Sequence, residues 1–261
     1  LTTKAIEGYA AQEQLVGGVE TLFKTSSDTV VGYANDAYKT AGMSANEYME
    51  TVTSFSASLL ASMNNDTAAA AEKANVAITD MSDNANKMGT DISLIQNAYN
   101  GFAKQNYTML DNLKLGYGGT KEEMQRLLDD ASKLSGIKYD ISSYSDVVDA
   151  IHVVQTEMGI TGTTAKEAST TIEGSVSSMS SAWDNWVAGM ADSEANFSQL
   201  TSNLVDSIVT VVGNIAPRVI ETVPRLVSGL GEIVEQLATY IPQVIQELLP
   251  PLMSGVQDLL N

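Results

Sequence analysis

The chain of 261 residues holds one histidine, His152, and no cysteine. Those two facts remove every two-histidine metal arrangement, every thiolate ligand, every disulfide and every cysteine nucleophile, and leave a single imidazole for acid–base work. His152 lies between Ile151 and Val153 on a helical pattern, with Asp149 one turn back. The expected state is a histidine at the edge of the core, paired with Asp149. No nucleophile stands at a recognisable spacing from it.

The remaining groups with chemical potential are weaker. Asp129-Asp130 and the set Asp140, Asp146 and Asp149 could serve as calcium ligands or a glycosidase pair. The alternating carboxylates, central glycine and terminal glutamate of a calcium loop are missing, and solvated helix faces account for these residues. Gly116-Tyr-Gly-Gly119 is glycine-rich, but the run to Lys121 lacks the spacing of a phosphate loop and no apolar strand precedes it, so a turn or hinge is expected. Trp183 and Trp186, one helical turn apart, could pack in a core, mark a binding surface or anchor at a membrane interface. Asn65-Asp-Thr67, Asn106-Tyr-Thr108 and Asn196-Phe-Ser198 match the glycosylation pattern, which carries little weight without a secretion leader. The expected catalytic, cofactor and metal residues are therefore none, and the chain is read as a non-enzyme.

The elements that would position these residues are helical. A loosely periodic stretch from Thr2 to about Lys24 has an expected break at Gly17-Gly18, and Ser26-Ser27-Asp28 offers a cap for a helix to about Ala41. Ser44-Ala-Asn-Glu47 is a capping box ahead of Tyr48, Val52, Phe55, Leu59 and Met63 on one face. Asn64-Asn65-Asp66 breaks that helix and caps the next, where Ala74, Ile78, Met81, Ala85 and Met88 form a thin seam. So little buried area predicts weak docking, or a need for a second copy, and the greatest mobility around 64–90. Ile92, Ile95, Tyr99 and Phe102 make a stronger face. Thr120-Lys-Glu-Glu123 is a second capping box, for a helix ending at Gly136; 137–143 looks extended; Val147 to Met158 is helical again. Thr164-Ala-Lys-Glu167 predicts one long helix with Ala165, Ala168, Ile172, Val176, Met179, Trp183, Trp186 and Met190 on a face, and serines on the other side.

From Leu204 to Leu259 apolar residues return fifteen times over 55 residues, a mean step of 3.67, nearer an eleven-residue repeat than a heptad. All five prolines, Pro217, Pro224, Pro242, Pro250 and Pro251, fall here and predict several short, jointed helices. The longest charge-free runs, 207–217 and 236–246, are eleven residues each, against roughly twenty for a bilayer span. An amphipathic segment entering a membrane after a trigger is the sharper alternative for 203–261.

Aromatic residues are only 6% of the chain, which favours slim helices. The fold expected is all-α: an elongated or loosely packed helical bundle with a proline-kinked apolar C-terminal helical segment, divided as 1–115, 116–191 and 192–261. A net charge of −18, with no basic stripe, disfavours tight nucleic-acid binding. The first residue is Leu1, without an initiator methionine or a leader, and the sequence reads as an excised part of something longer.

Leu115-Gly-Tyr-Gly-Gly-Thr-Lys-Glu-Glu-Met-Gln-Arg-Leu-Leu128, Ala150-Ile-His-Val-Val154, Gly159-Ile-Thr-Gly-Thr-Thr-Ala-Lys-Glu-Ala-Ser-Thr-Thr-Ile172 and Gly174-Ser-Val-Ser-Ser-Met-Ser-Ser-Ala-Trp183 resemble the core region of tailed-phage tail tape measure proteins. The likeness covers roughly 40–190. It implies a structural virion protein without an active site, assembled in the host bacterial cytoplasm, lying in the lumen of the tail tube, setting its length and leaving at genome ejection. It also implies self-association and contact with the tube protein, distal tail proteins and assembly chaperones. Wholly helical, 261 residues would reach about 390 Å, short for most tails. The alternative function is a membrane-active α-helical protein, a pore former or secreted effector, with host membrane contact through 203–261.

Overall fold

The computed structural model describes residues 2–238, without the side chains of Val223, Pro224 and 226–238. Its helices are α1 Thr2–Phe23, α2 Ser27–Thr40, α3 Ala45–Ser62, α4 Thr67–Met88, α5 Ile92–Phe102, α6 Lys121–Ser135, α7 Tyr144–Glu157, α8 Thr163–Thr170, α9 Ile172–Gly189 and α10 Phe197–Ala238. Short 3₁₀ turns occupy Lys24–Ser26 and Leu110–Leu113. No strand occurs among the described residues, and the all-α expectation holds. Two units separate, Leu1–Val211 and Val212–Asn261.

Several helix starts follow from local sequence. Ser44 Oγ accepts from the Glu47 amide while the Glu47 carboxylate accepts from the Ser44 amide, a complete capping box that satisfies two donors the helix cannot. Asp66 caps α4 through the amides of Ala68 and Ala69. At α6 only half of the expected box forms. Thr120 accepts from the Glu123 amide, but the Glu123 carboxylate turns to Gly118 and Arg126 instead. The Gly17-Gly18 break does not occur. α1 runs through both glycines, and its Val19 and Phe23 are buried against the rest of the unit.

The first unit is built around α4, which corrects the expectation of a weakly docked, mobile helix at 64–90. α4 packs against α1, α2, α3, α5, α7 and α8. Its alanines Ala70, Ala71, Ala74 and Ala77 are fully buried beside Ile78 and Met81. Small side chains bury little area each, but they let neighbouring helix axes approach, so larger residues from outside supply the volume: Tyr48, Phe55, Tyr99, Phe102 and Leu127. Burial also wraps around the helix onto Asp80, Ser82, Asp83 and Asn84, which are 0–5% exposed. One continuous core runs from Val19 to Ile160, so 1–115 and the first half of 116–191 share it.

The single long helix expected from Thr164 is two helices meeting at a corner. Thr171 is extended and caps α9 by accepting from the Gly174 amide. Gly174 permits the corner, because a Cβ there would lie 2.4 Å from the Glu167 carbonyl. The expected apolar face of α9 is covered in part, at Met179 and Trp186, which pack against the cluster of Tyr38, Ala182 and Leu204, and Ser177 and Ser180 are exposed as expected. Ser175, Ser178, Ser181 and Ala182 face inward, whereas Ile172, Val176 and Trp183 are 40–44% exposed. The serine hydroxyls satisfy themselves on carbonyls, Ser175 on Thr171 and Ser181 on Ser177 and Gly42, so this small-residue face packs without orphaned donors at those positions.

The jointed helices expected at the C-terminal side are replaced, within the described residues, by one 42-residue helix. Pro217 and Pro224 lie inside it. Each deletes one bond to the carbonyl four residues back, at Gly213 and Ile220. Both of those residues are exposed, so water can take up the freed carbonyls. Pro242, Pro250, Pro251 and the apolar positions from Ile241 to Leu260 lie outside the described residues.

Candidate functional site

His152 sits on α7 but does not pair with Asp149. Its Nδ1 lies 2.9 and 3.0 Å from the two carboxylate oxygens of Asp80 on α4. Asp149 is instead paired with Lys73, also on α4. Asp149, one turn back, is within reach of the ring by helix geometry, but its carboxylate is taken up by Lys73, while Asp80 presents both oxygens to Nδ1 from α4. Burial pushes the Asp80 carboxyl up and His152 draws it partly back; the bond to Asp80 raises His152 against its own burial.

The pair belongs to a buried polar seam. Gln155 Nε2 donates to the Asp80 carbonyl, and Asn84 Nδ2 donates to Gln155 Oε1 and to the Leu113 carbonyl. Asp83, one residue before Asn84, accepts from the amides of Gly162 and Thr164 and thereby caps α8 from another helix. Thr164-Ala-Lys-Glu167 is therefore not a local capping box; the N-cap residue is Gly162, which has no side chain to offer. These groups hold helices together. No second imidazole and no group of three or more metal-ligating side chains accompanies them among the described residues.

The other sequence-marked groups disperse. Asp140 accepts from the amide and hydroxyl of Ser142, and Asp146 bonds the Asp140 amide and Ser143. Asp130 is held by Lys133 and the Tyr117 hydroxyl, Asp129 by Gln125. Gly116–Gly119 is a loop pinned by Arg126, whose guanidinium reaches the Gly116 carbonyl at 2.7 Å and stacks over Tyr117 at 4.2 Å. Gly119 touches the Thr108 carbonyl where any Cβ would come within 2.3 Å. These features make it a braced turn. Of the three glycosylation-like triplets, Asn106 is engaged in its own turn, accepting from the Thr108 amide and hydroxyl.

Two apolar surfaces remain. Trp183, Trp186 and Phe197 form an aromatic ladder with centroids 5.3 and 5.5 Å apart, and Trp186 Nε1 donates to Thr201. Trp183 is nonetheless 44% exposed. On α10, Leu204 and Val211 are buried, but Val205, Ile208, Val209, Val212, Val219 and Ile220 are 43–71% exposed. Sequence periodicity identified this stripe but not that so much of it is left uncovered.

The described residues form an all-helical fold in which the buried polar groups bond one helix to another. Comparison with protein-family models, with curated proteins and with solved structures finds no match.

Proposed function

We propose that this chain is a structural phage-tail protein, a section of a tail tape measure protein that lies in the lumen of the tail tube, acts as its length ruler without catalysing a reaction, and is released at genome ejection. The resemblance of 115–128, 150–154, 159–172 and 174–183 to that family motivates the reading. The observation that carries it is α10, 42 residues long with an apolar stripe left in solvent. At 1.5 Å per residue it is a rod of about 63 Å. Leaving six large apolar side chains exposed costs free energy that a partner helix recovers. A ruler assembled from several copies supplies that helix, and the tube protein, distal tail proteins and chaperones are the further partners of the reading. The −18 charge would repel DNA sharing the lumen.

Duplicating residues 197–238 in the phage that carries the chain tests the proposal. Tails should lengthen by about 63 Å in electron micrographs. Normal tails of unaltered length, with the longer protein present in them, would count decisively against a ruler role.

A second reading, membrane activity, is favoured by one observation. Residues Phe197–Thr222 contain a stretch with mean hydropathy 1.2 that is only 17% buried, long enough to cross a bilayer by length and composition. Asp206, Arg218 and Glu221 lie within Phe197–Thr222, which suits an interfacial helix better than a span. Dye release from anionic vesicles by the whole chain, compared with the triple variant Val205→Asp, Val209→Asp and Val212→Asp, separates the readings. Equal release by both proteins removes sequence-specific membrane action.

A further inference from the structure

A cleft of about 770 Å³ opens in the first unit among α1, α2, the start of α3, the end of α9 and the start of α10. Its volume is that of a small-ligand site. Seven of its lining residues carry side-chain amides. An amide offers a donor and an acceptor side by side, so such a lining matches a neutral partner that both gives and takes hydrogen bonds.

Two of the amides are set by backbone groups of neighbouring helices. Asn185 Oδ1 accepts from the Ala45 amide at 2.7 Å, and Asn46 Nδ2 donates to the Gly8 carbonyl at 3.0 Å. These bonds leave the Asn185 N–H donors and the Asn46 carbonyl acceptor for a further partner. Among the described residues no protein hydrogen bond engages the side chains of Gln12, Asn35 or Asp184, and Asn35 and Asp184 are exposed. Trp183 lines the same cleft, 44% exposed and backed by Trp186 at 5.3 Å between centroids, which holds the ring in place.

The lining narrows the ligand. Four carboxylates, on Glu7, Asp184, Asp192 and Glu194, face one lysine, Lys4, so an anion meets net repulsion. A wholly apolar ligand would strip water from the amides and return no hydrogen bonds. A sugar has hydroxyls that donate and accept, and a C–H face that lies flat on an indole.

We propose that this cleft binds a neutral oligosaccharide, one ring lying on the Trp183 indole, its hydroxyls donating to Asn46 Oδ1 and the Asp184 carboxylate and accepting from Asn185 Nδ2, with Gln12 and Asn35 bonding the remaining hydroxyls. The site is independent of the tail reading.

The test is calorimetric titration of the whole chain with maltotriose, cellotriose and tri-N-acetylchitotriose, each to about 10 mM. At least one should bind saturably at a single site and shift the tryptophan emission, since Trp183 is one of two tryptophans in the chain. Its affinity should be the same at about 0.15 M and about 1 M salt, because the ligand is uncharged. Trp183→Ala should weaken binding by about tenfold and Trp183→Tyr by less, because a ring remains. Asn35→Ala should weaken it several-fold with the parent's unfolding midpoint, because that side chain is exposed and bonds no protein group. Asn97→Ala, an exposed asparagine outside this cleft, should bind as the parent does. No saturable binding by any of the three sugars, parent affinity in Trp183→Ala or Asn35→Ala, loss of binding at high salt, or equally tight binding of trialanine would overturn the site.

Discussion

Asp83 on α4 holds the amino end of α8, its carboxylate accepting the Thr164 amide at 2.8 Å and the Gly162 amide at 2.6 Å. The two residues are 81 positions apart, so a helix start that sequence assigns to local capping is made across the core. A negative group at a helix N-terminus gains both hydrogen bonds and the favourable end of the helix dipole. Replacing Asp83 by alanine should cost about 2–4 kcal/mol, because two amides and the end of α8 lose their partner in a dry setting. Urea unfolding of the variant measures it; a change below about 0.5 kcal/mol, the range of an ordinary surface substitution, would show that α8 does not depend on this bond.

The Asp80–His152 pair predicts how stability changes with pH. Both groups have folded-state values above their unfolded ones, Asp80 from burial and His152 from its bond to Asp80. The folded state then binds protons more tightly. The contribution of His152 is complete below its unfolded value of about 6.5 and is lost as pH rises through the folded one. Asp80 has the same sign: the cost of its buried charge enters as pH rises above the unfolded carboxylate value of about 3.9. The parent protein should therefore lose stability between about pH 5 and pH 8, a window that spans the unfolded histidine value and lies above the unfolded carboxylate one, relative to the variant Asp80→Asn with His152→Gln. Denaturant midpoints at the two pH values read this directly, and parallel pH profiles would refute the linkage.

Since α4 is the centre of the first unit, its amides should exchange with solvent among the slowest in that unit. Hydrogen exchange across 74–85 tests this against the mobile helix that a thin alanine seam suggests. In the same helix Ile78→Ala should cost about 2–5 kcal/mol, the range for a large side chain removed from a closed core, since Ile78 is fully buried. Exchange at 74–85 as fast as at the ends of α1 would disprove the central placement.

Two glycines should respond in opposite directions to alanine. Gly174→Ala places a methyl 2.4 Å from the Glu167 backbone and should destabilise the α8–α9 corner by about 1–3 kcal/mol, as overpacking does. Gly17→Ala meets nothing within 4 Å in the middle of α1 and should stabilise by about 0.5–1 kcal/mol. Thermal melts of the two variants shifting the same way would contradict the placement of one of them.

Local chemistry was legible wherever a residue answers to neighbours a few positions away. The capping box at Ser44, the Asp66 cap, the end of α6 at Gly136, the apolar face of α5 and the all-helical class follow from side-chain reach and helical period. What periodicity could not reveal is which face a partner covers. α4 has polar residues at 80–84 that look solvated, yet α7 and α8 arrive with His152, Gln155 and the Gly162 and Thr164 amides to match them. α9 has an apolar stripe that looks like core, yet Ser175, Ser178 and Ser181 lie inward and Trp183 remains in solvent. The sequence by itself determined that the chain is helical, acidic, without thiols and with one imidazole. Only the tertiary structure decided that Asp80 rather than Asp149 meets that imidazole and that the alanine helix is the centre. Helix formation depends on residues four apart, whereas burial and pairing depend on what folding brings from seventy or more positions away.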